Sequence, residues 1–232
     1  MTHTLEKLPK AMLFDLDGTL ADTIPQLAKA AHKSAAAIGI SAPDIKTTQS
    51  YVGNGVNLLL TRVIAGRFDV TTDDIDSDLL LKARSVFNEE YTKGLSSDYT
   101  VYDGVVEGLK YFKQRGIKLA VVTNKPQVFA IPLLKYMGIF EYFDFVLGGE
   151  VLKERKPDPK PIMYCLDKLN VSYKDAIMVG DSDNDIIAGN NANLCTVFFT
   201  YGYNRKNIEE LDIDYSFDRF SQLTDIIKTL EG

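Results

Sequence analysis

Five short apolar runs punctuate this chain: Ala11–Phe14, Leu119–Val122, Phe143–Leu147, Ala176–Val179 and Cys195–Phe199. Helix-like stretches lie near Gly104–Arg115, Gln127–Met137, Lys160–Leu169 and Asp183–Asn191, reached through polar loops. The runs have no polar alternate face, so they do not suit a sheet with one side in water. Near-continuous apolar strands alternating with helices predict a parallel sheet covered on both faces.

After the first run the pattern changes. From about Asp22 to Tyr99 the chain carries Ala- and Leu-rich helical patterns such as Leu27–Ile38, Val56–Ile64 and Asp78–Tyr91, with no strand signal. The expected fold is therefore α/β: a Rossmann-like doubly wound parallel sheet from residues 1–21 and 100–232, with an α-helical cap, residues 22–99, inserted after the first strand. A chain of 232 residues, 45% hydrophobic and 25% charged, is long enough for such a core and a smaller second domain.

The formal net charge of −6, with 26 Lys and Arg dispersed along the chain, argues against nucleic-acid and acidic-membrane partners. A small phosphorylated metabolite remains compatible, because a local cluster of metal, lysine and backbone amides can overcome a weak global field. No apolar run approaches membrane-spanning length and no secretory signal opens the chain, so a cytoplasmic location is expected. Cys165 and Cys195 sit in apolar runs and are expected as buried thiols. Monomer and homodimer are both compatible with the sequence.

Ligands of open α/β sheets gather beyond the carboxyl ends of the strands, and four polar strings fall there. Asp15-Leu16-Asp17-Gly18-Thr19 follows the first run. Its two carboxylates at i and i+2 share a side, and Gly18 permits a turn. Thr123-Asn124 follows the second run and offers a hydroxyl and a backbone amide to a phosphoryl oxygen, although such pairs are also ordinary turn and cap residues. Lys156-Pro157-Asp158-Pro159 holds a lysine in a stiffened loop. Gly180-Asp181-Ser182-Asp183-Asn184-Asp185 places three carboxylates within five residues, which repel one another unless a cation or hydrogen bonds compensate. Hard oxygen donors of this kind suit Mg²⁺. An EF-hand loop does not fit, since its glycine and terminal glutamate positions are missing and the setting is strand–loop–helix.

Taken in order, these strings resemble the haloacid dehalogenase superfamily over nearly the whole chain, and the insertion after the first motif is similar to that family's helical cap. The resemblance implies that Asp15 attacks phosphorus and that Asp17 serves as general acid and base. It implies that Lys156 balances charge, and that Thr123 with the Asn124 backbone holds phosphoryl oxygens. Mg²⁺ would be held by the Asp15 carboxylate, the Asp17 carbonyl and Asp181, with Asp185 orienting a metal water or Lys156. Dehalogenating relatives lack the equivalent of Asp17, so its presence implies phosphate esters.

Leu20-Ala21-Asp22-Thr23 and the cap string Tyr51-Val52-Gly53-Asn54-Gly55-Val56-Asn57-Leu58-Leu59 look like those of phosphoglycolate phosphatases, which hydrolyse 2-phosphoglycolate to glycolate. Backbone amides at Gly53, Asn54 and Gly55 would then approach the substrate carboxylate at a helix start. That loop holds no arginine or lysine to pair with it. The alternatives are a phosphatase for sugar phosphates, nucleotides or pyrophosphate, a β-phosphoglucomutase-like phosphotransferase, and, more remotely, a non-catalytic binding protein on the same scaffold.

Overall fold

The computed structural model describes residues 4–203 and 208–230. Its six-stranded sheet contains β1 (Ala11–Phe14), β4 (Lys118–Pro126), β5 (Phe145–Gly149), β6 (Ala176–Gly180), β7 (Cys195–Phe199) and β8 (Tyr215–Phe217), in the order β5-β4-β1-β6-β7-β8. Every neighbouring pair is parallel. A separate two-residue pairing joins β2 (Ala21–Asp22) to β3 (Thr100–Val101) in antiparallel fashion.

Alternation along the strands divides the core into two layers. Met12, Phe14, Leu119, Val121, Ile177 and Val179 face one side. They pack there with α5 (Val105–Gln114), α6 (Gln127–Tyr136) and α9 (Phe220–Thr229). Ala11, Leu13, Ala120, Val122 and Met178 face the other side, under α7 (Lys160–Leu169) and α8 (Asp183–Asn191). Burial of both faces is the reason the strand sequences carry no polar alternation. Cys165 and Cys195 are both buried and do not form a disulfide.

Between β2 and β3 the chain is helical: α1 (Ile24–Ala37), α2 (Ile45–Ser50), α3 (Val56–Ala65) and α4 (Ser77–Gly94). Helix α1 packs chiefly on α4, and the buried faces of α1, α3 and α4 join the larger apolar core. Phe87 and Tyr91 of α4 stack on each other and meet Phe129 of α6 edge-on. This aromatic contact seats the insertion on the sheet domain.

Two of the expected strands differ in extent, and the short β2, β3 and β8 had no expected counterpart. The segment beginning at Phe143 enters the sheet only at Phe145, because Asp144 is first engaged by Leu119. The Asp144 N–H donates to the Leu119 carbonyl (2.8 Å), and its carboxylate accepts from the Leu119 N–H (2.8 Å). Strand β4 continues to Pro126, past a register irregularity between Val122 and Pro126. Thr123 and Asn124 therefore lie on the continuation of that strand rather than in the loop after it.

Candidate active site

The order β4-β1-β6 brings the carboxyl ends of three strands side by side at the sheet's switch point. Asp15 follows β1, Thr123 and Asn124 lie on the end of β4, and Asp181 follows β6. Gly18 has φ +88°, and a Cβ there would stand 2.3 Å from Asp181 Oδ2. Only glycine lets the loop after β1 turn this close to the loop after β6.

One oxygen from each of Asp15, Asp181 and Asp185 lies within 4.8 Å of the other two. Asp183 is outside this cluster. Asp185 also forms a capping box at the start of α8, its Oδ2 accepting from the Ser182 N–H (3.0 Å) and hydroxyl (2.7 Å). The Lys156 ammonium, 1% exposed, donates to Asp185 Oδ1 at 2.6 Å and stands 3.0 Å from Asp15 Oδ1. The latter contact is an ion pair without hydrogen-bond geometry, since Asp15 Oδ1 is buried and has no hydrogen-bond partner among the described residues.

These carboxylates are held under electrostatic stress. Burial, opposed by Lys156 and reinforced by Asp185 and Asp17, pushes Asp15 up to about 6. Burial and the charges of Asp185 and Asp15 raise Asp181 well above the carboxylate range, against the pull of the Thr19 hydroxyl and the Tyr203 N–H. Burial alone would lower Lys156, but Asp15 and Asp185 outweigh it and the net effect is upward. One ammonium, against Asp15 and Asp185, serves a cluster of three carboxylates whose oxygens converge, with Asp15 Oδ1 unsatisfied. That donor set fits a small, hard divalent cation, which would lower the cost of ionising all three.

The remaining expected residues distribute as follows. The Asp17 carboxylate lies outside the three-oxygen cluster and accepts from Thr23 Oγ1 (2.7 Å). Thr123 is buried, with its Oγ1 accepting from the Lys125 N–H at 3.2 Å. Asn124 is a structural hub. Its Nδ2 donates to the carbonyls of Gly53 and Lys156 (both 2.9 Å), and its Oδ1 accepts from the Lys156 N–H (3.0 Å). Gly53 and Gly55 line the cavity between the insertion and the sheet domain, together with Asp15, Asp17, Thr123 and Asp181. The Asn54 side chain instead bridges Arg62 Nη1 (3.0 Å) and Asn184 (3.2 Å). With Asn184 Nδ2 also donating to the Gly53 carbonyl (3.1 Å), that loop is tied firmly to the sheet domain.

Lys125 was not anticipated from the sequence. It is buried, donates to both oxygens of Asp17 (2.9 and 3.1 Å) and lies 4.7 Å from the centre of the Tyr91 ring. The available signal was a lysine directly after Thr123-Asn124 on an apolar strand. Tyr203 was also missed; its N–H donates to Asp181 Oδ2 (2.7 Å) and its hydroxyl to Asp22 (2.7 Å).

Comparison with known proteins agrees with this geometry. Residues 12–199 match the family model described as haloacid dehalogenase-like hydrolase. The chain is 39% identical over 217 residues to the phosphoglycolate phosphatase of Psychrobacter arcticus, covering 93% of this chain and 94% of that one. It is 41% identical over 207 residues to that of Thiobacillus denitrificans, with 88% and 89% covered. Among solved structures, a predicted phosphoglycolate phosphatase of Haemophilus somnus superposes with a TM-score of 0.86 at 32% identity, covering 94% of this chain and 97% of that one.

Proposed function

The chain belongs to the haloacid dehalogenase-like hydrolases and is a phosphoric monoester hydrolase, and from that premise we propose that it hydrolyses 2-phosphoglycolate to glycolate and phosphate, with Mg²⁺, through an aspartyl-phosphate on Asp15. The observation that carries this reading is the cavity in which Asp15, Asp17, Thr123 and Asp181 meet beneath a helical cap. The names of the relatives support the same substrate.

Asp15, Asp181 and the backbone carbonyl of Asp17 would hold Mg²⁺. When bound, the ion supplies positive charge that lets an anionic nucleophile approach an anionic phosphate. A carboxylate oxygen of Asp15 attacks phosphorus as the bond from phosphorus to the bridging oxygen breaks, and Asp17 donates its proton to that departing oxygen, giving glycolate. Asp17, now a carboxylate, takes a proton from water whose oxygen attacks the phosphorus. The Asp15–phosphorus bond then breaks, releasing phosphate and restoring the nucleophile. Lys156 offsets charge on Asp15, while the Thr123 hydroxyl and the Asn124 backbone hold phosphoryl oxygens. Asn124 and Asn184 tie the Gly53 loop to the sheet domain beside this chemistry.

The deciding experiment measures phosphate release from 2-phosphoglycolate, sugar phosphates, nucleotides and pyrophosphate, with Mg²⁺ and with chelator. The expected result is highest kcat/KM for 2-phosphoglycolate and loss of turnover on chelation. Isomerisation of a sugar phosphate without phosphate release, or activity that survives chelation, would contradict the proposal.

A further inference from the structure

The cavity contains a cation and a hydroxyl that the phosphoryl site leaves unused. Lys125 enters from the end of β4 with its side chain 2% exposed, and its ammonium is paired with Asp17 rather than with Asp15, Asp181 or Asp185. It lies over the face of Tyr91. The Tyr91 hydroxyl is buried and has no hydrogen-bond partner among the described residues. Leaving a buried hydroxyl unsatisfied is costly, so an orphan of this kind, lining a cavity, marks a place where a polar partner is missing. Leu27, Val56, Leu59 and Phe129 make the neighbouring wall apolar.

Position gives these two groups a meaning. Asp17 is the residue that meets the departing oxygen. In 2-phosphoglycolate a single methylene separates that oxygen from the carboxylate carbon, so the carboxylate must fall close to Asp17 in any rotamer. A cation that recognises it has to neighbour Asp17, as Lys125 does. The Gly53–Gly55 loop contributes wall but no charge.

We infer that Lys125 is the specificity-determining counter-ion of the substrate carboxylate, with the Tyr91 hydroxyl as a second donor. Asp17 provides the carboxylate that Lys125 holds in the substrate-free chain. The inference deepens the 2-phosphoglycolate reading and rests on it. An ester of a neutral alcohol offers Lys125 no anionic acceptor; an ester carrying a carboxylate on the adjacent carbon does.

The test compares kcat/KM for 2-phosphoglycolate with that for 2-hydroxyethyl phosphate, in which a hydroxymethyl group replaces the carboxylate. A wild-type enzyme without preference for 2-phosphoglycolate overturns the substrate reading, and this inference with it. Given a wild-type preference, Lys125→Met is expected to reduce the ratio at least about 10-fold, the low end for a hydrogen bond to a charged group. Tyr91→Phe should also reduce it about 10-fold, because its acceptor is the same charged carboxylate. A ratio unchanged in Lys125→Met overturns the role of Lys125 while the substrate reading stands.

Lys125→Gln, which keeps most of the length and an N–H donor, serves if the Met variant does not fold. A measurement on the wild type is independent of both variants. 3-Phosphonopropionate, with methylene in place of the bridging oxygen, should inhibit at least about 10-fold more tightly than propylphosphonate. In its crystal complex the carboxylate should sit within hydrogen-bond distance of Lys125 Nζ. A carboxylate bound instead only to the Gly53–Gly55 backbone refutes the assignment.

Discussion

Replacing Asp15 by Asn should stabilise the metal-free protein, and the gain should grow with pH. In the folded chain burial keeps the Asp15 proton to about pH 6, against an ordinary value of 3.8. Between those values the unfolded state binds fewer protons at this position than the folded state, so its contribution to stability falls as pH rises. The contribution is fully present below about pH 3.8 and is gone above about pH 6. Each pH unit separating the folded and unfolded titrations corresponds to about 1.4 kcal/mol. Between pH 4 and pH 7.5 the wild type should therefore lose about 2–3 kcal/mol that the variant keeps. Asn resembles the protonated carboxyl in shape, so the two proteins should nearly coincide at pH 4.

For a chain of this size that loss is a difference in Tm of about 5–10 °C at pH 7.5. The assay is thermal unfolding of both proteins across that pH range in excess chelator, followed by addition of Mg²⁺. Taking the difference between the two proteins cancels other carboxylates such as Asp44, Asp74 and Asp175, whose pKa values are lowered and whose contributions run the opposite way. Mg²⁺ should restore the wild type more than the variant, because the variant has lost an anionic ligand. A Tm difference independent of pH, or one that shrinks from pH 4 to pH 7.5 in chelator, refutes the account of Asp15 as a carboxylate stressed by burial.

Three further outcomes follow from the same geometry. Asp17→Asn should lower kcat by about 100- to 10,000-fold, the usual range for a general acid or base, while p-nitrophenyl phosphate, which needs no proton on leaving, still forms a phosphoenzyme detectable by rapid acid quench. Lys156→Met removes the ammonium beside Asp15 and Asp185 and should cost about 3–5 kcal/mol in metal-free urea unfolding, as expected when a buried pair loses one member. Gly18→Ala drives a Cβ to within 2.3 Å of Asp181 Oδ2 at φ +88°; displacement of that carboxylate should cut kcat/KM at least about 100-fold and weaken Mg²⁺ binding measured by calorimetry.

What could be read in the sequence divides along physical lines. Strands β1, β6 and β7 were legible because burial on both faces leaves an apolar run, interrupted only by Thr196 in β7. Strand β8 was not: at the sheet edge, Tyr215 and Phe217 are only partly buried, Ser216 is exposed, and the three sit among Asp212, Asp214 and Asp218. The six-residue α2 also escaped. It has one buried residue, Thr48, and its start depends on Asp44 accepting from the Thr47 N–H at 2.8 Å rather than on an apolar stripe. By contrast α9 carries Phe220, Leu223, Thr224 and Ile227 at helical spacing, a signal present in the chain but overlooked.

The site divides in the same way. Asp15, Thr123 and Asp181 are placed by the ends of adjacent strands, so sequence order and strand position suffice to bring them together. Lys125 acquires its partners only when α4 lays Tyr91 across the end of β4 and the turn after β1 presents Asp17. No local pattern encodes that meeting; it depends on how the helical insertion docks. The converging carboxylates thus belong to the sheet domain, while part of the cavity wall belongs to the insertion. Altering Tyr91 or the Gly53 loop while keeping Asp15, Asp17, Lys156 and Asp181 should therefore redirect the enzyme toward another alcohol without changing how phosphorus is attacked. That separation explains why the reaction was easier to read from this sequence than its substrate.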